Sequence, residues 1–527
     1  EYIPPGLFDT CTIARIFDTA FSTCTKITSI PSGLFSVHTY QTSSFSSCFS
    51  SCTSLVTVPL GLFDNVKSTT FASAFYNCPA LITLPVGLFR NQTYIQTNGF
   101  YDTFRSCVGL TAVPDELFDG CNTVTDFYYT FYGDVNLLSV GQNVFRGCSS
   151  ITSMSYTFAN CTKLATISSG LFDSLVNVIS MTSTFTNCAL TAIPEHLFDY
   201  CTKLVSLSNT FQSCDFTSVP ADLLKYNTQL TNIQYIFYYC PITSIPSTLL
   251  STNTKLENCT ATFQNTAITS IPEDLFVNNT ALKSLSSCFS GCTGLTVIPE
   301  DLFIYNILIN DMSNVFNGCS NVTSIPVGLF RNNPSITTFY GAFQTLNKVT
   351  SIPEDLFRYN VAATNFGYCF GGLTLLTNIP AGLFQYNTVM SLANYTFQTC
   401  NTLTSIPETL FANNIILQNV SWAFANCTNI VSIPENLFVN NLQLTNCYGT
   451  FSNFYALTAI PANLFTNQNL ITDFTSCFSI SSTSVSYNKV TGNVPTLWLK
   501  VNNPIGTQCF RNRTLIANYA DIPSTWK

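Results

Sequence analysis

The chain has 527 residues, of which 46% are hydrophobic and only 9% charged, with a formal net charge of −8. Its 45 phenylalanines supply apolar material for a long core and exclude a disordered chain, which would be charged and poor in aromatics. The 19 basic residues form no run and no apolar stretch is long enough to span a bilayer, so neither a nucleic-acid partner nor membrane insertion is expected.

In chain order, Glu1-Tyr2-Ile3-Pro4 already lies inside a repeat and carries no basic n-region or signal core. The chain therefore reads as a mature or trimmed product, with any secretion signal or N-terminal cap outside it. An Ile-Pro pair then recurs. With its proline as position 0, coils start near Pro4, Pro31, Pro59, Pro85, Pro114, Pro194, Pro220, Pro246, Pro272, Pro299, Pro326, Pro353, Pro380, Pro407, Pro434 and Pro461. Gly141 and Ser168 hold the place in two further coils, and the spacing of 26 to 29 settles to 27 from Pro272 to Pro461. A fixed period marks one stacked array instead of several globular domains. Residues 1–481 are read as a repeat solenoid without an internal boundary, and 482–527, with Pro495 and Pro523, as degenerate C-terminal capping repeats, about nineteen coils in all.

Within a coil, Leu and Phe hold positions 3 and 4, Asn position 7, apolar residues 10 and 13, Phe 17, usually Cys 20, and Leu, Ile or Val about 23. No coil can bury its own apolar face, so neighbours must stack and like residues form ladders. Phe at 17 predicts an aromatic spine, and Asn at 7 predicts amides bonding from coil to coil. Pro followed by acids, as in Ile-Pro-Glu-Asp-Leu-Phe, predicts a short 3₁₀ or single-turn helix. Strands are predicted at positions 12 to 17 and in the Leu-Thr-Ser-Ile segment before the proline.

Of the 23 cysteines, twelve fall near position 20, from Cys24 and Cys52 to Cys400 and Cys427. Other coils put Asp134, Thr266 or Leu346 there, so buried free thiols explain the column better than disulfides or metal ligands. His38 and His196 lie in distant coils and leave no material for a catalytic triad; no catalytic, cofactor-binding or metal-binding residue is expected, and the chain is read as not an enzyme. Carboxylates just after the proline, strongest from Glu273 to Glu435, would make an acidic stripe, read as a solvated turn in preference to a calcium edge. Aromatics at positions 14, 15 and 18 change from coil to coil, where a recognition surface would be written. Tyr128, Tyr238, Tyr340 and Tyr448 are its expected exposed members, binding weakly per coil and building affinity through multivalency. From Ser482 the cadence loosens, and Trp498 and Trp526 are expected where Phe stands in other coils.

Leu-Thr-Ser-Ile-Pro-Glu-Asp-Leu-Phe resembles the turn of leucine-rich repeats. The cadence of Thr157-Phe158-Ala159-Asn160-Cys161 and Thr396-Phe397-Gln398-Thr399-Cys400 resembles BspA-like bacterial surface repeats, over nearly the whole chain. Phe at 17 and extra residues before the Cys depart from standard leucine-rich repeats. The resemblance implies a β-rich leucine-rich-repeat-like solenoid of short strands and 3₁₀ or single-turn segments. It also implies a non-enzymatic, extracellular, surface-displayed scaffold that binds or adheres to a protein or glycan on a host or neighbouring cell. Similar arrays in gut bacteriophage give the alternative, a structural subunit of a virion fibre or filament whose partners are sister subunits.

Overall fold

A computed structural model describes residues 2–38 and 42–527. It divides into two compact units, Glu1–Asn258 and Cys259–Lys527, each a stack of coils. The inward side chains of a coil recur about every third residue. In the coil of Pro353 these are Leu356, Phe357, Asn360, Ala363, Phe366, Cys369, Phe370, Leu373, Leu376 and Ile379, all buried. A three-residue burial period belongs to neither an α-helix nor a strand. It follows from chained turns closed by i→i−3 hydrogen bonds, such as Leu356 to Pro353, Arg358 to Asp355 and Asn360 to Phe357.

Regular strands are few. In the first unit Thr42–Ser44 pairs in parallel with Lys67–Thr70, and Ala112–Val113 with Ser139–Val140. Elsewhere the sheet is reduced to single parallel bridges, before the proline at Ser29, Thr57 and Thr83 and otherwise mostly at position 12, running Asp126, Ser153, Ser180, Ser206, Asn232 in the first unit and Ser284, Asp311, Thr338, Asn365, Leu392 in the second. The strand expected over positions 12 to 17 is therefore corrected: beyond position 12 the chain makes two linked turns. The residues at 15 and 19 are left-handed, as in Tyr156 (φ 59°) and Asn160 (φ 62°). Alternate amides divide the work. Those of Phe366, Tyr368, Phe370 and Gly372 reach carbonyls of the next coil, while those of Cys369 and Gly371 close turns within their own. The segment after the proline is likewise alternating turns; 3₁₀ helices occur at Val485–Tyr487, Leu497–Leu499, Tyr519–Asp521 and Ser524–Trp526.

Each unit holds phenylalanine columns at positions 17 and 4, and the first unit adds a third near position 13, from Phe17 through Phe45, Phe71 and Phe100 to Phe127. At position 17 of the second unit, Phe370, Phe397 and Phe424 stack at 5.7 and 5.6 Å, both pairs 11° from parallel. At position 4, Phe357, Phe384 and Phe411 stack at 6.2 and 6.1 Å. Polar ladders run beside them, and all point back to the preceding coil. Asn360 donates from Nδ2 to the carbonyls of Phe330 (3.1 Å) and Asn333 (2.9 Å), and Asn387 and Asn414 repeat the pattern. The Cys400 thiol donates to the Phe370 carbonyl at 3.3 Å and Thr396 Oγ1 to that of Phe366 at 3.0 Å. In three first-unit coils Cys121, Cys148 and Cys201 stand at the Asn slot and donate to the same position-4 carbonyl. All 23 cysteines are free, and all but Cys11 and Cys24 are buried.

At the C-terminal end a further rung forms at residues 505–513. Phe510 continues the position-17 column, 5.7 Å from Phe478. Trp498 and Trp526 do not take the place of Phe, as expected from sequence; both pack against neighbouring rings, Trp498 edge-on to Phe510 at 6.4 Å and Trp526 beside Phe474 at 6.2 Å. The carbonyls of Thr525 and Trp526 receive the amides of Gln508 and Phe510. Arg513, fully buried, fills the position-20 slot and donates to the carbonyls of Phe478 (3.0 Å) and Phe454 (2.9 Å). Burial lowers its guanidinium to a pKa of about 10.

Candidate binding surface

The face of positions 11 to 19 in the coils of Pro326 to Pro434 contains no Asp, Glu, Lys or Arg. Its middle is a run of rings through five successive coils. Tyr340 meets Tyr368 edge-on at 5.3 Å; Tyr368 and Tyr395 stack at 4.2 Å and 7°; Trp422 follows at 6.2 Å; and Tyr448 closes the run edge-on at 4.9 Å. Burial and the neighbouring Tyr395 push the Tyr368 hydroxyl up to about 12.

Local chemistry sets this geometry. The Oδ1 atoms of Asn365, Asn419 and Asn446 accept the amides two residues on, at 2.9 Å each, which turns the chain after position 12. Position 15 is then left-handed, and the ring, carried at position 14 or 15 of each coil, stands half-buried at the surface. Tyr368 (φ 57°), Tyr395 (φ 59°) and Trp422 (φ 55°) adopt a conformation that other coils give to Asn314, Gly341 or Gly449. Bulky L residues there cost roughly 1–2 kcal/mol each. At Gly449 a Cβ would meet the Trp422 ring at 2.6 Å, so glycine lets the indole lie across the next coil.

The four tyrosines expected from sequence are only partly placed as expected. Tyr340 and Tyr448 end this run. Tyr128 belongs to a first-unit cluster with Tyr129 (5.9 Å), where Tyr129 also stacks on Tyr156 at 4.8 Å and Arg105 lies over Tyr129 and Tyr132. Tyr238 sits between Tyr235 (5.4 Å) and Tyr239 (4.5 Å). All four are half-buried, not exposed, because adjoining rings cover them. A set of five exposed tyrosines stands instead at position 6: Tyr200, Tyr226, Tyr305, Tyr359 and Tyr386. The signal that would have found them is the alternation of Tyr and Asn just before the buried Asn of position 7.

Other candidate chemistry resolves into structure. Glu300 and Glu354 accept the amides of Gly328 and Gly382 in the next coil, and Glu408 and Glu435 accept from Asn436 and Asn463, so the acidic stripe staples coils. Among the described residues no group of three or more His, Cys, Asp or Glu is placed to hold a metal ion. His196 lines a depression of about 140 Å³ with Glu195 and Asp222, but its Nδ1 is held by Asp199 at 2.9 Å and no hydroxyl or thiol lines the wall. Burial pushes thiols such as Cys292 (to about 11) and Cys400 (to about 12) up, away from nucleophilic reactivity, whereas a hydrogen bond with the Cys107 thiol lowers Cys78. Among the described residues no helix is long and apolar enough to cross a membrane.

Comparison with curated proteins returns no match. Among solved structures, a leucine-rich-repeat protein of Leptospira interrogans is 12% identical, covering 91% of this chain and 95% of its own at a TM-score of 0.43. A TDR receptor is 13% identical, covering 89% and 74%, also at 0.43. A chain of the Drosophila Toll–Spatzle complex is 15% identical, covering 71% of this chain at 0.39; this chain spans about half, 48%, of that one. The model of the BspA type leucine rich repeat region matches residues 8–107 and 111–257, in six copies. Residues 8–107 and 111–257 are thus a BspA type leucine rich repeat region, and the coils beyond them repeat the same pattern.

Proposed function

We propose that the chain is a non-enzymatic, extracellular binding scaffold of the bacterial surface type, and that it adheres through its aromatic run to a protein or glycan on another cell. Leucine-rich repeats support a protein-binding scaffold in general terms. The observation that carries the finer reading is the run Tyr340–Tyr368–Tyr395–Trp422–Tyr448 on a face without charge. Three of these rings sit at left-handed positions that fold more easily with Asn or Gly, and strain kept at a surface points to use of that surface. Large amphipathic rings ringed by amides and hydroxyls suit short-range contacts, and the lack of charge argues against capture of polyanions. Repetition over five coils lets weak contacts add.

The test replaces all five residues by Ser and measures attachment to epithelial cells and to mucin, after circular dichroism shows the parent fold. Attachment should be lost. A folded variant that attaches as well as the parent removes this face as the adhesive surface.

A further inference from the structure

A second surface, separate from the aromatic run, lies at the corner formed by positions 5, 6, 8 and 9. In the second unit this corner is apolar and wet. Ile307 is 55% exposed and Ile415 58%, and Leu308, Val361, Ile416 and Leu442 are exposed beside them. The exposed rings of Tyr305, Tyr359 and Tyr386 stand at position 6 of the same corner. Single exposed aliphatics need no explanation, but a row repeated on one corner through successive coils does, because it keeps apolar area in water that a partner would cover.

The charge beside this row is predominantly negative. From the coil of Pro299 to that of Pro461, the corner positions themselves carry only Arg331 and Arg358. Arg331 is held by Asp301 at 2.7 Å and Arg358 by Asp355 at 3.6 Å. Arg358 also lies over Tyr359 (5.9 Å) and Tyr386 (5.3 Å), which ties the rim to the corner. The rim at positions 1 and 2 holds Glu300, Asp301, Glu354, Asp355, Glu408 and Glu435, so six carboxylates face two guanidiniums. A second copy would set acidic rim against acidic rim, and an anionic lipid surface would be repelled likewise.

We propose that this corner docks an amphipathic protein segment whose apolar side chains form one row flanked by Lys or Arg. The row fills the corner, and the flanking cations meet the carboxylate rim.

The experiment titrates the whole chain against a fluorescent helical peptide of Leu and Lys with one apolar face, and against its Leu and Glu counterpart. The cationic peptide should bind at least roughly tenfold more tightly, with affinity falling as salt rises. The exposed pair Ile415→Ser and Ile416→Ser should weaken it by about tenfold. The triple variant Glu354→Gln, Asp355→Asn, Glu408→Gln, which keeps the acceptor oxygens that staple the coils, should weaken it and flatten the salt dependence. Tyr395→Ser, on the aromatic run, should bind the peptide as the parent does, which separates this site from the adhesive face. Equal binding of both peptides, or parental binding by the Ile415/Ile416 and rim variants, would overturn the proposal. So would self-association or binding to anionic phosphatidylserine vesicles while the cationic peptide is ignored.

Discussion

Asp134 offers a quantitative test of the buried column. It occupies position 20, the slot from which Cys107 and Cys161 in the adjoining coils donate to a carbonyl of the coil before. Asp134 is fully buried and neither carboxylate oxygen has a hydrogen-bond partner. Burial pushes its carboxyl well above the usual value. The folded state therefore keeps a proton that the unfolded chain releases from about pH 4 upward. In that window the unfolded state binds fewer protons, so stability falls as pH rises, by about 1.4 kcal/mol per pH unit until the folded pKa is passed. Below about pH 4 both states are protonated and the slope vanishes. Burial also holds the Cys107 and Cys161 thiols neutral, so Asp134 is the group in this stretch of the column expected to titrate there. Because coupling in a solenoid is between neighbours, the effect belongs to local opening and not to a global midpoint. The assay is hydrogen exchange of the Phe104, Phe131 and Phe158 amides, corrected for intrinsic rates, from pH 4 to 7. Asp134→Asn should abolish the slope, and Asp134→Cys should abolish it and raise protection at pH 7. An unchanged slope in both variants would refute a buried neutral acid.

Phe397→Ala should cost about 3–5 kcal/mol in opening of its own and the adjoining coils, read by hydrogen exchange, with distant coils unmoved. Asn360→Ala takes the second donor from the Phe330 and Asn333 carbonyls, which keep the turn amides of Asn333 and Ile336, and should cost about 1–2 kcal/mol locally in the same assay, more than an exposed Asn such as Asn413. Thiol titration in denaturant without reductant should find nearly all 23 cysteines free; a paired majority would make the column a covalent staple.

Much of this architecture was legible because like residues fall at like positions. The phenylalanine at 17 and asparagine at 7 give both a column and its chemistry. The turns of positions 13 to 19 were not, since apolar residues at 13 and 17, four apart, fit one face of a strand as well as they fit successive turns. The sign was present all the same: Asn160, Gly133, Gly291 and Asn426 recur at 19, residue types that tolerate a left-handed backbone. The aromatic face was half legible. Tyr340 and Tyr448 were recognisable as variable rings, but their union through Tyr368, Tyr395 and Trp422 depends on rings at position 14 in some coils and 15 in others meeting on one surface, which an ideal strand forbids. Arg513 was unreadable as a core residue because nothing local says that a basic side chain continues a thiol column.

The one-way bonding of the ladders bears on how such a chain can change over generations. The second-unit coils of Pro299 to Pro434 offer main-chain donors on one side and the same buried asparagine donor on the other. Recombination that duplicates or deletes a whole coil leaves each remaining junction chemically matched. A shift by part of a coil sets a Phe column against a polar slot and breaks several bonds at once. Small insertions are absorbed at corners, as between Pro85 and Pro114, where the spacing is 29 and the ring column still runs from Phe104 to Phe131 at 5.4 Å. Length in such an array is thus a quantity inherited in whole steps, while the residues facing outward are free to diverge within each step.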